Sequence, residues 1–259
     1  MVEKARHEPG MFCWVELATS DGEAAKNFYT SLFGWSVKDN ATDAGVYSML
    51  QKNGKDAGAL YEMGPQQQGV PPHWNSYVCV ENADDAAAHA KELGGTVVME
   101  PFDVMEHGRM AIVSDPTGAV FSLWQPKSHI GAGVVSEPGA FCWNELYTTD
   151  LARAADFYSD LFGWAKDVRH IDYGEYVIFN SGGEMAAGMM KIPKEWGPVP
   201  PHWLVYFAVD DCDKAVEKAK GLGAEVTWPP MDIPEVGRFS MLKDPQGAAF
   251  AVIKLVMPA

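Results

Sequence analysis

The first regular pattern in the chain is an alternation over residues 12–17, which predicts a strand. Phe12, Trp14 and Glu16 fall on one face of this strand, and the intervening residues fall on the other. An apolar stripe at helical spacing follows and predicts a helix that can pack against a sheet. Asp21 before the stripe is the expected N-cap of that helix, and Gly34 directly after the stripe is its expected end.

The remaining elements are strands, with one short helix among them. In chain order, the pattern predicts strands at 35–40, 46–50, 57–63 and 73–80, a helix at 83–93, and strands at 96–99, 109–113 and 119–125. The order is therefore βαβββ followed by βαβββ. The two βαβββ halves of this copy resemble each other weakly, and Gly34 of the first half corresponds to Gly94 of the second.

The whole pattern occurs a second time, 129 residues later. Ungapped superposition of residues 12–125 on residues 141–254 gives 43 identities in 114 positions, which chance does not produce. The chain is therefore a tandem duplication. We expect an α+β protein with a first domain at 10–126, a linker at 127–139 and a second domain at 140–256.

Composition excludes several classes of partner. The chain has a formal net charge of −15 and 47% hydrophobic residues, so it is acidic and globular. Binding of nucleic acid or of an anionic membrane needs a basic cluster, which the sequence lacks. We therefore expect neither partner, and the pattern favours a small-molecule ligand instead.

The four cysteines, Cys13, Cys79, Cys142 and Cys212, form no CxxC pair and no dense framework. They are expected to be free thiols in a reducing compartment. The sequence also shows no apolar signal region at its start and no apolar run of membrane-spanning length. These features favour a cytoplasmic protein.

Certain short motifs, each repeated in the second copy, resemble those of a known family. They are Asp21, Asn27-Phe28-Tyr29, Leu32-Phe33-Gly34 and Asp115-Pro116-Thr117-Gly118. With the βαβββ order, they resemble the vicinal oxygen chelate superfamily, which includes glyoxalase I, bleomycin-resistance proteins and extradiol dioxygenases. The chain looks most similar to tandem-domain, glyoxalase-like members, some of which are catalogued as hydroxylases.

The resemblance implies an architecture for each domain and for the pair. Each βαβββ–βαβββ domain would form a concave, half-open barrel of mixed sheet, and a ligand or metal would sit in its hollow. The two domains would pair about a pseudo-twofold axis, as the dimers of the family do. We expect a monomer of this form, or a homodimer.

The resemblance also locates the usual metal ligands, and this chain lacks them. Three of the ligand positions hold Trp14, Asn75 and Ser122 in the first copy. The same positions hold Trp143, Leu204 and Ala251 in the second copy. On the fourth strand of the first copy, Glu62 is the only carboxylate. Lys191 lies at the same position in the second copy. An indole, a leucine and an alanine cannot coordinate a divalent cation. We therefore expect no metal and no other cofactor.

Strand alternation at the same positions predicts which side chains line the two hollows. The first set is Phe12, Trp14, Glu16, His73, Asn75, Tyr77, Val120, Ser122 and Trp124, and the second is Phe141, Trp143, Glu145, His202, Leu204, Tyr206, Ala249, Ala251 and Ile253. Aromatic clefts with a few convergent polar groups suit small organic ligands. The first hollow is the more polar and is the first place to look.

Glu16 and Glu145 are the candidate catalytic residues. A carboxylate beside a tryptophan in an apolar hollow can have a raised pKa and can act as a base next to a carbonyl group. The alternative is a structural carboxylate bonded to the backbone or to an arginine near a strand end.

Other polar residues also have two interpretations. His73 and His202 either contact a ligand or satisfy backbone groups at the rim. Arg109 and Arg238 are either surface and capping residues or anion-binding groups. An unusual metal site from Glu16 and His73 would need Glu62 or Tyr77 as a third ligand.

Three functions remain open at this point. The first is a metal-independent glyoxalase-like protein that binds a small hydrophobic or carbonyl-containing metabolite, with or without transforming it. The second is a non-catalytic sequestering protein of the bleomycin-resistance type. The third is a metal-dependent lactoylglutathione-lyase-type enzyme, against which the missing ligands count.

Overall fold

The computed structural model describes residues 2–43, 45–171 and 174–256. The elements up to the linker are β1 (Val2–Glu3), β2 (Phe12–Thr19), α1 (Gly22–Phe33), β3 (Ser36–Thr42), β4 (Gly45–Lys52), β5 (Lys55–Glu62), β6 (His73–Cys79), α2 (Ala83–Glu92), β7 (Thr96–Val104), β8 (Gly108–Ser114) and β9 (Val120–Pro126). From the linker onward they are β10 (Val134–Val135), β11 (Phe141–Thr148), α3 (Leu151–Phe162), β12 (Ala165–Ile171), β13 (Gly174–Ser181), β14 (Glu184–Lys191), β15 (His202–Ala208), α4 (Cys212–Gly221), β16 (Glu225–Ile233), β17 (Gly237–Lys243) and β18 (Ala249–Leu255).

Each copy forms one eight-stranded mixed sheet. The strand orders are β3-β4-β5-β2-β6-β9-β8-β7 and β12-β13-β14-β11-β15-β18-β17-β16, so the two sheets have the same topology. In the first sheet β2 and β6 are antiparallel at the centre, and each has a parallel neighbour, β5 and β9. This confirms the predicted α+β fold of two tandem βαβββ–βαβββ units.

The residues predicted to begin and end the first helix do so in α1. The Asp21 side chain accepts a hydrogen bond from the Ala24 amide, which caps the first turn. Gly34 ends the helix in the left-handed conformation, with φ of 72°. The strand prediction for β7 ended five residues too early, because β7 continues from Met99 to Val104 through two register shifts.

Helices α1 and α3 each pack against the sheet of the other copy, which creates a core that both domains share. The rings of Phe28 and Tyr29 on α1 lie 6.1 and 5.6 Å from Phe250 of the second sheet. In the reciprocal contact, Tyr158 on α3 lies 5.4 Å from Phe121 of the first sheet. The opposite face of each sheet is therefore left to form a hollow.

Two reciprocal polar clusters cross this shared core. The Tyr29 hydroxyl donates to Asp244 Oδ2 at 2.9 Å and accepts from Trp74 Nε1 at 2.9 Å. Tyr158, Asp115 and Trp203 repeat the arrangement at 3.0 and 2.9 Å. The tyrosine and aspartate motifs of opposite copies are thus bonded to each other in two equivalent contacts.

The N-terminal arm and the linker pack together against the first domain. β1 pairs with β10, and His7 Nε2 lies 2.8 Å from the Ala132 carbonyl oxygen. The Ala132 amide donates to the Cys13 carbonyl at 2.8 Å. Both strands have two residues, too few for an alternating pattern, so they could not be predicted from the sequence.

All four cysteines are free, as predicted. Burial raises the pKa of the Cys142 thiol to about 12 and that of Cys212 to about 11. Within the described ranges, no helix is both long enough and apolar enough to cross a bilayer.

Candidate ligand-binding site

We call the face of the first sheet that carries Glu16, Asn75 and Ser122 the first hollow, and the face that carries Glu145, Leu204 and Ala251 the second hollow. Tyr77 pairs with Trp14 and with Ser122, which places all three on this face. Except for the phenylalanines discussed next, strand register puts the predicted residues on the expected faces.

Phe12 does not line the first hollow, so that expectation was wrong. A β-bulge lets Phe12 pair with Val78 while Trp14 pairs with Tyr77. The extra residue moves Phe12 to the inner face, where its ring lies 5.0 Å from Trp203 of the other domain. The same shift between Phe141 and Trp143 puts Phe141 in the shared core.

Two tyrosine hydroxyls hold the Glu16 carboxylate. Tyr47 donates to Oε2 at 2.6 Å and Tyr77 donates to Oε1 at 2.9 Å. Burial raises the pKa of Glu16, and the two phenol hydrogen bonds oppose that rise. Neither a backbone group nor an arginine supplies these contacts, which makes the cluster unlike a strand-end carboxylate.

The second hollow repeats the cluster with a more buried carboxylate. Tyr176 donates to Glu145 Oε2 at 2.7 Å, and Tyr206 donates to Oε1 at 3.1 Å. Trp143 Nε1 donates to the Tyr176 hydroxyl at 3.3 Å. Sequence reasoning missed Tyr47 and Tyr176, although their identity at a shift of 129 was a usable signal.

The wall of the first hollow is more polar than its counterpart. Asn75 Nδ2 donates to Ser122 Oγ at 2.7 Å, and Gln67 Nε2 donates to the Tyr61 hydroxyl at 2.8 Å. The equivalent positions in the second copy are apolar or aromatic: Leu204, Ala251, Trp196 and Met190. The first hollow therefore has the more polar wall, in which Asn75, Gln67 and Tyr61 are partly exposed and Ser122 is fully buried.

Linker residue His129 covers the tryptophan side of the first hollow, which the sequence did not indicate. Its ring lies 4.8 Å from Trp14 and 6.0 Å from Trp124, edge-on in both cases. Trp124 Nε1 donates to the His129 carbonyl oxygen at 3.0 Å. Trp14 and Trp124 are consequently fixed in place as walls of the hollow.

The two predicted rim histidines use the same backbone contact. Nδ1 of His73 lies 2.9 Å from the Pro71 carbonyl oxygen, and Nδ1 of His202 lies 2.9 Å from that of Pro200. This geometry favours the rim interpretation for Nδ1. Burial lowers the pKa of His202, so its ring is neutral near neutral pH.

The two predicted arginines are structural. Arg109 makes a two-point contact with Asp84 at 2.6 and 2.7 Å, and Arg238 makes the same contact with Asp213 at 2.7 and 2.9 Å. Both bonds tie a sheet strand to the first turn of a helix in the same domain.

The hollows differ most in how far they are filled by their own side chains. At the rim of the first, Met99, Phe102 and Val120 are 45%, 38% and 46% exposed. The equivalent residues of the second are partly buried. A separate hydrophobic cluster fills that hollow, and its buried members are Tyr147, Ile192, Leu204, Tyr206, Phe239, Met241, Ala251 and Ile253.

The donor set does not fit the metal that the fold family often carries. Both oxygens of Glu16 accept from phenols, and Asn75 is bonded to Ser122. Glu62 accepts from the Gly22 amide at the start of α1. Among the residues the structure describes, no group of three His, Cys, Asp or Glu side chains is placed to hold a metal ion.

The sequence matches a family model in both copies, over residues 12–123 and 139–252. The family is the Glyoxalase/Bleomycin resistance protein/Dioxygenase superfamily. This chain belongs to that superfamily. The membership agrees with the resemblance drawn from the repeated motifs.

Relatives extend over almost the whole chain. The Putative glyoxylase CFP32 of Mycobacterium tuberculosis is 43% identical over 258 residues, which cover 98% of each chain. The anthracycline biosynthesis protein DnrV of Streptomyces peucetius is 36% identical over 265 residues, covering 96% of this chain and 95% of DnrV. The Mn(II)-bound glyoxalase from Novosphingobium aromaticivorans shares the fold, with a TM-score of 0.67 and 16% identity over 95% of this chain and 82% of that one.

Glu145→Gln is expected to change how stability depends on pH. Burial raises the pKa of Glu145, so the folded protein keeps this proton at a pH where the unfolded chain has released it. Wild type should therefore lose stability relative to the variant as pH rises from the ordinary glutamate pKa through the raised one. The melting temperature of the variant minus that of wild type, measured from about pH 4 to about pH 7, should increase with pH. A constant difference would contradict the raised pKa.

Proposed function

We propose that the first hollow binds a small, hydrophobic, carbonyl-containing metabolite without a metal ion. The observation that carries this proposal is the half-buried Glu16 carboxylate, held by two phenols on a sheet face whose rim exposes apolar side chains. The exposed apolar rim suits the body of such a ligand, and the partly exposed amide of Asn75 suits its polar groups. The second hollow, which its own side chains fill, is not the main binding site.

The names of two relatives support this class of ligand. DnrV is named for anthracycline biosynthesis, and anthracyclines are fused aromatic compounds with carbonyl groups. CFP32 is named as a glyoxylase, a name that points to carbonyl chemistry. Both relatives extend over the two domains, so the comparison includes both hollows.

Proton abstraction by Glu16 is a second candidate function, favoured by the raised pKa of this carboxylate. A base of this kind removes a proton from the carbon next to a carbonyl group. Sequestration without reaction, as in bleomycin-resistance proteins, is favoured because two phenol hydroxyls already donate hydrogen bonds to the Glu16 carboxylate. The lyase alternative requires a metal site, and the donor set above does not supply one.

Acetophenone tests both parts of the proposal, because it carries an aromatic ring, a carbonyl group and exchangeable methyl protons. Wild type should bind it, and Asn75→Leu with Ser122→Ala should weaken binding by roughly five-fold, since one hydrogen bond is worth about 1 kcal/mol. These variants install the residues of the second hollow. Binding as tight in the variant as in wild type would contradict the site.

Deuterium exchange of the methyl protons in D₂O separates the enzyme from the binding protein. If Glu16 is a base, wild type catalyses the exchange and Glu16→Gln abolishes it, while Glu145→Gln in the filled hollow does not. Binding of acetophenone without catalysed exchange would assign the protein to the sequestering class.

A further inference from the structure

The first hollow contains a third phenol, Tyr61, beside the two that hold Glu16. Tyr61 on β5 pairs with Tyr47 on β4 and with Ala18 on β2. Residues that pair directly across neighbouring strands lie on the same face of a sheet. Tyr47 donates to Glu16, so Tyr61 faces the same hollow. Burial and the nearby negative charge of Glu16 both raise the pKa of Tyr61, so this phenol is protonated at neutral pH.

The hydroxyl proton of Tyr61 is available to a ligand. Gln67 Nε2 donates to the Tyr61 oxygen at 2.8 Å, so the phenol is the acceptor in this bond. Tyr47 and Tyr77, in contrast, donate their own protons to Glu16. No oxygen or nitrogen of the described residues accepts a hydrogen bond from the Tyr61 hydroxyl. A partly exposed phenol with an unused proton can donate to a bound molecule.

The turn that carries Gln67 holds this residue in place. The Gln67 amide donates to the Gly64 carbonyl oxygen at 2.9 Å, and the Gln67 carbonyl oxygen accepts from the Val70 amide at 3.0 Å. The side chain of Gln67 is half-buried. Because Gln67 uses the acceptor side of the Tyr61 oxygen, it directs the remaining proton away from itself.

A second available donor lies on the other side of the central strand β2. Asn75 on β6 pairs with Glu16 from one side, and Tyr61 lies on β5, which pairs with β2 from the other side. The amide of Asn75 has two hydrogens, and its bond to Ser122 uses one of them. Asn75 and Tyr61 are both partly exposed. The first hollow therefore has one available proton on each side of the strand that carries Glu16.

The second hollow lacks both donors. The residues at the positions of Tyr61, Gln67 and Asn75 have no amide or hydroxyl group in their side chains, and they are Met190, Trp196 and Leu204. The further phenol of that hollow, Tyr147, is only 1% exposed, and its hydroxyl lies 3.4 Å from that of Tyr206. That phenol is bonded within the protein, so the pair of available donors belongs to the first hollow alone.

We propose that the first hollow binds two hydrogen-bond acceptors of one ligand, the first at Asn75 and the second at Tyr61. The ligand is then an aromatic compound with a carbonyl group at each of two edges. Gln67 is a positioning residue, because it acts through the Tyr61 hydroxyl. This inference rests on the proposed function, since it narrows the ligand class of the same site.

Two probes of nearly equal size test the second position. In 1,4-diacetylbenzene the ring carries two carbonyl groups, and in 4-ethylacetophenone a methylene group replaces one of them. Calorimetric titration of wild type should show at least about five-fold tighter binding of the dicarbonyl compound, since one further hydrogen bond is worth about 1 kcal/mol. Tyr61→Phe should remove this preference.

Gln67→Glu should remove the preference as well, although the side chain keeps its shape. A carboxylate only accepts hydrogen bonds, so it takes the Tyr61 proton that the ligand would otherwise receive. Both variants should bind 4-ethylacetophenone within about two-fold of wild type, which a misfolded site would not do. A preference that survives in Tyr61→Phe would overturn the position assigned to Tyr61. A preference that survives in Gln67→Glu would show that the Tyr61 proton does not reach the ligand.

These outcomes are separable from failure of the proposed function. If wild type binds neither probe, the proposed function fails. If wild type binds both probes with equal affinity, the proposed function stands and the second position is overturned.

Discussion

Replacing Tyr29 by Phe is expected to destabilise the folded protein by about 2–4 kcal/mol. The change removes one hydroxyl that serves two buried partners, Asp244 and Trp74. Each buried polar group left without its partner costs about 1–3 kcal/mol. Burial already raises the pKa of Asp244, so loss of a donor to this carboxyl adds to an unfavourable position.

Urea unfolding of Tyr29→Phe measures this loss of stability, and Tyr61→Phe is the matched control. The Tyr61 hydroxyl has a single side-chain partner, Gln67, in a half-buried setting, so its loss should cost about 1 kcal/mol or less. Tyr158→Phe, the reciprocal change, should behave as Tyr29→Phe does. Equal effects of Tyr29→Phe and Tyr61→Phe would contradict the role given to the polar cluster between the domains.

Gly131→Ala is expected to destabilise the protein by about 3 kcal/mol or more, because the linker packs tightly on the first strand. A methyl group at this position would lie 2.3 Å from the Cys13 carbonyl oxygen, and φ is +100°. The backbone conformation costs an L-residue about 1–2 kcal/mol. Overpacking against backbone adds about 1–3 kcal/mol.

Gly118→Ala isolates the first of these costs, that of the backbone conformation. Gly118 has φ of +104°, and a methyl group there would meet nothing within 4 Å. This control should lose only the 1–2 kcal/mol or so that the backbone conformation costs. Thermal or urea unfolding compares the two variants. A Gly131→Ala protein no less stable than Gly118→Ala would contradict the close packing of the linker.

Most of the fold followed from local sequence patterns. The alternation over residues 12–17, the cap at Asp21 and the left-handed Gly34 are each decided by a few neighbouring residues. The duplication then fixed the second copy. Residues such as Tyr29 and Asp244 are identical in both copies at the shift of 129, and each bonds to the other copy across the core.

The site was predicted less completely, because its geometry depends on pairing between distant strands. Glu16 and Trp14 were found from alternation, but the bulge that turns Phe12 inward leaves no local mark. Tyr47 reaches Glu16 from a strand two places away in the sheet. His129 lies in the linker, where no periodic pattern points to it.

The surroundings of Tyr147 also needed the structure. Aligning the copies places Tyr147 opposite Ala18 and Met190 opposite Tyr61, but does not show what each ring contacts. The stacking of Tyr147 on His202 and its approach to Tyr206 show that this ring fills part of the second hollow. Duplication preserved the fold residues while the residues of the hollows diverged.

If the first hollow is the binding site, a ligand should perturb its tryptophans and leave those of the second hollow unchanged. The indole N–H signals in a ¹H–¹⁵N spectrum, followed during titration with acetophenone, report this. The signals of Trp14 and Trp124 should shift and saturate together, while those of Trp143 and Trp228 stay in place. Shifts confined to Trp143 and Trp228 would place the ligand in the second hollow and overturn the proposed binding site.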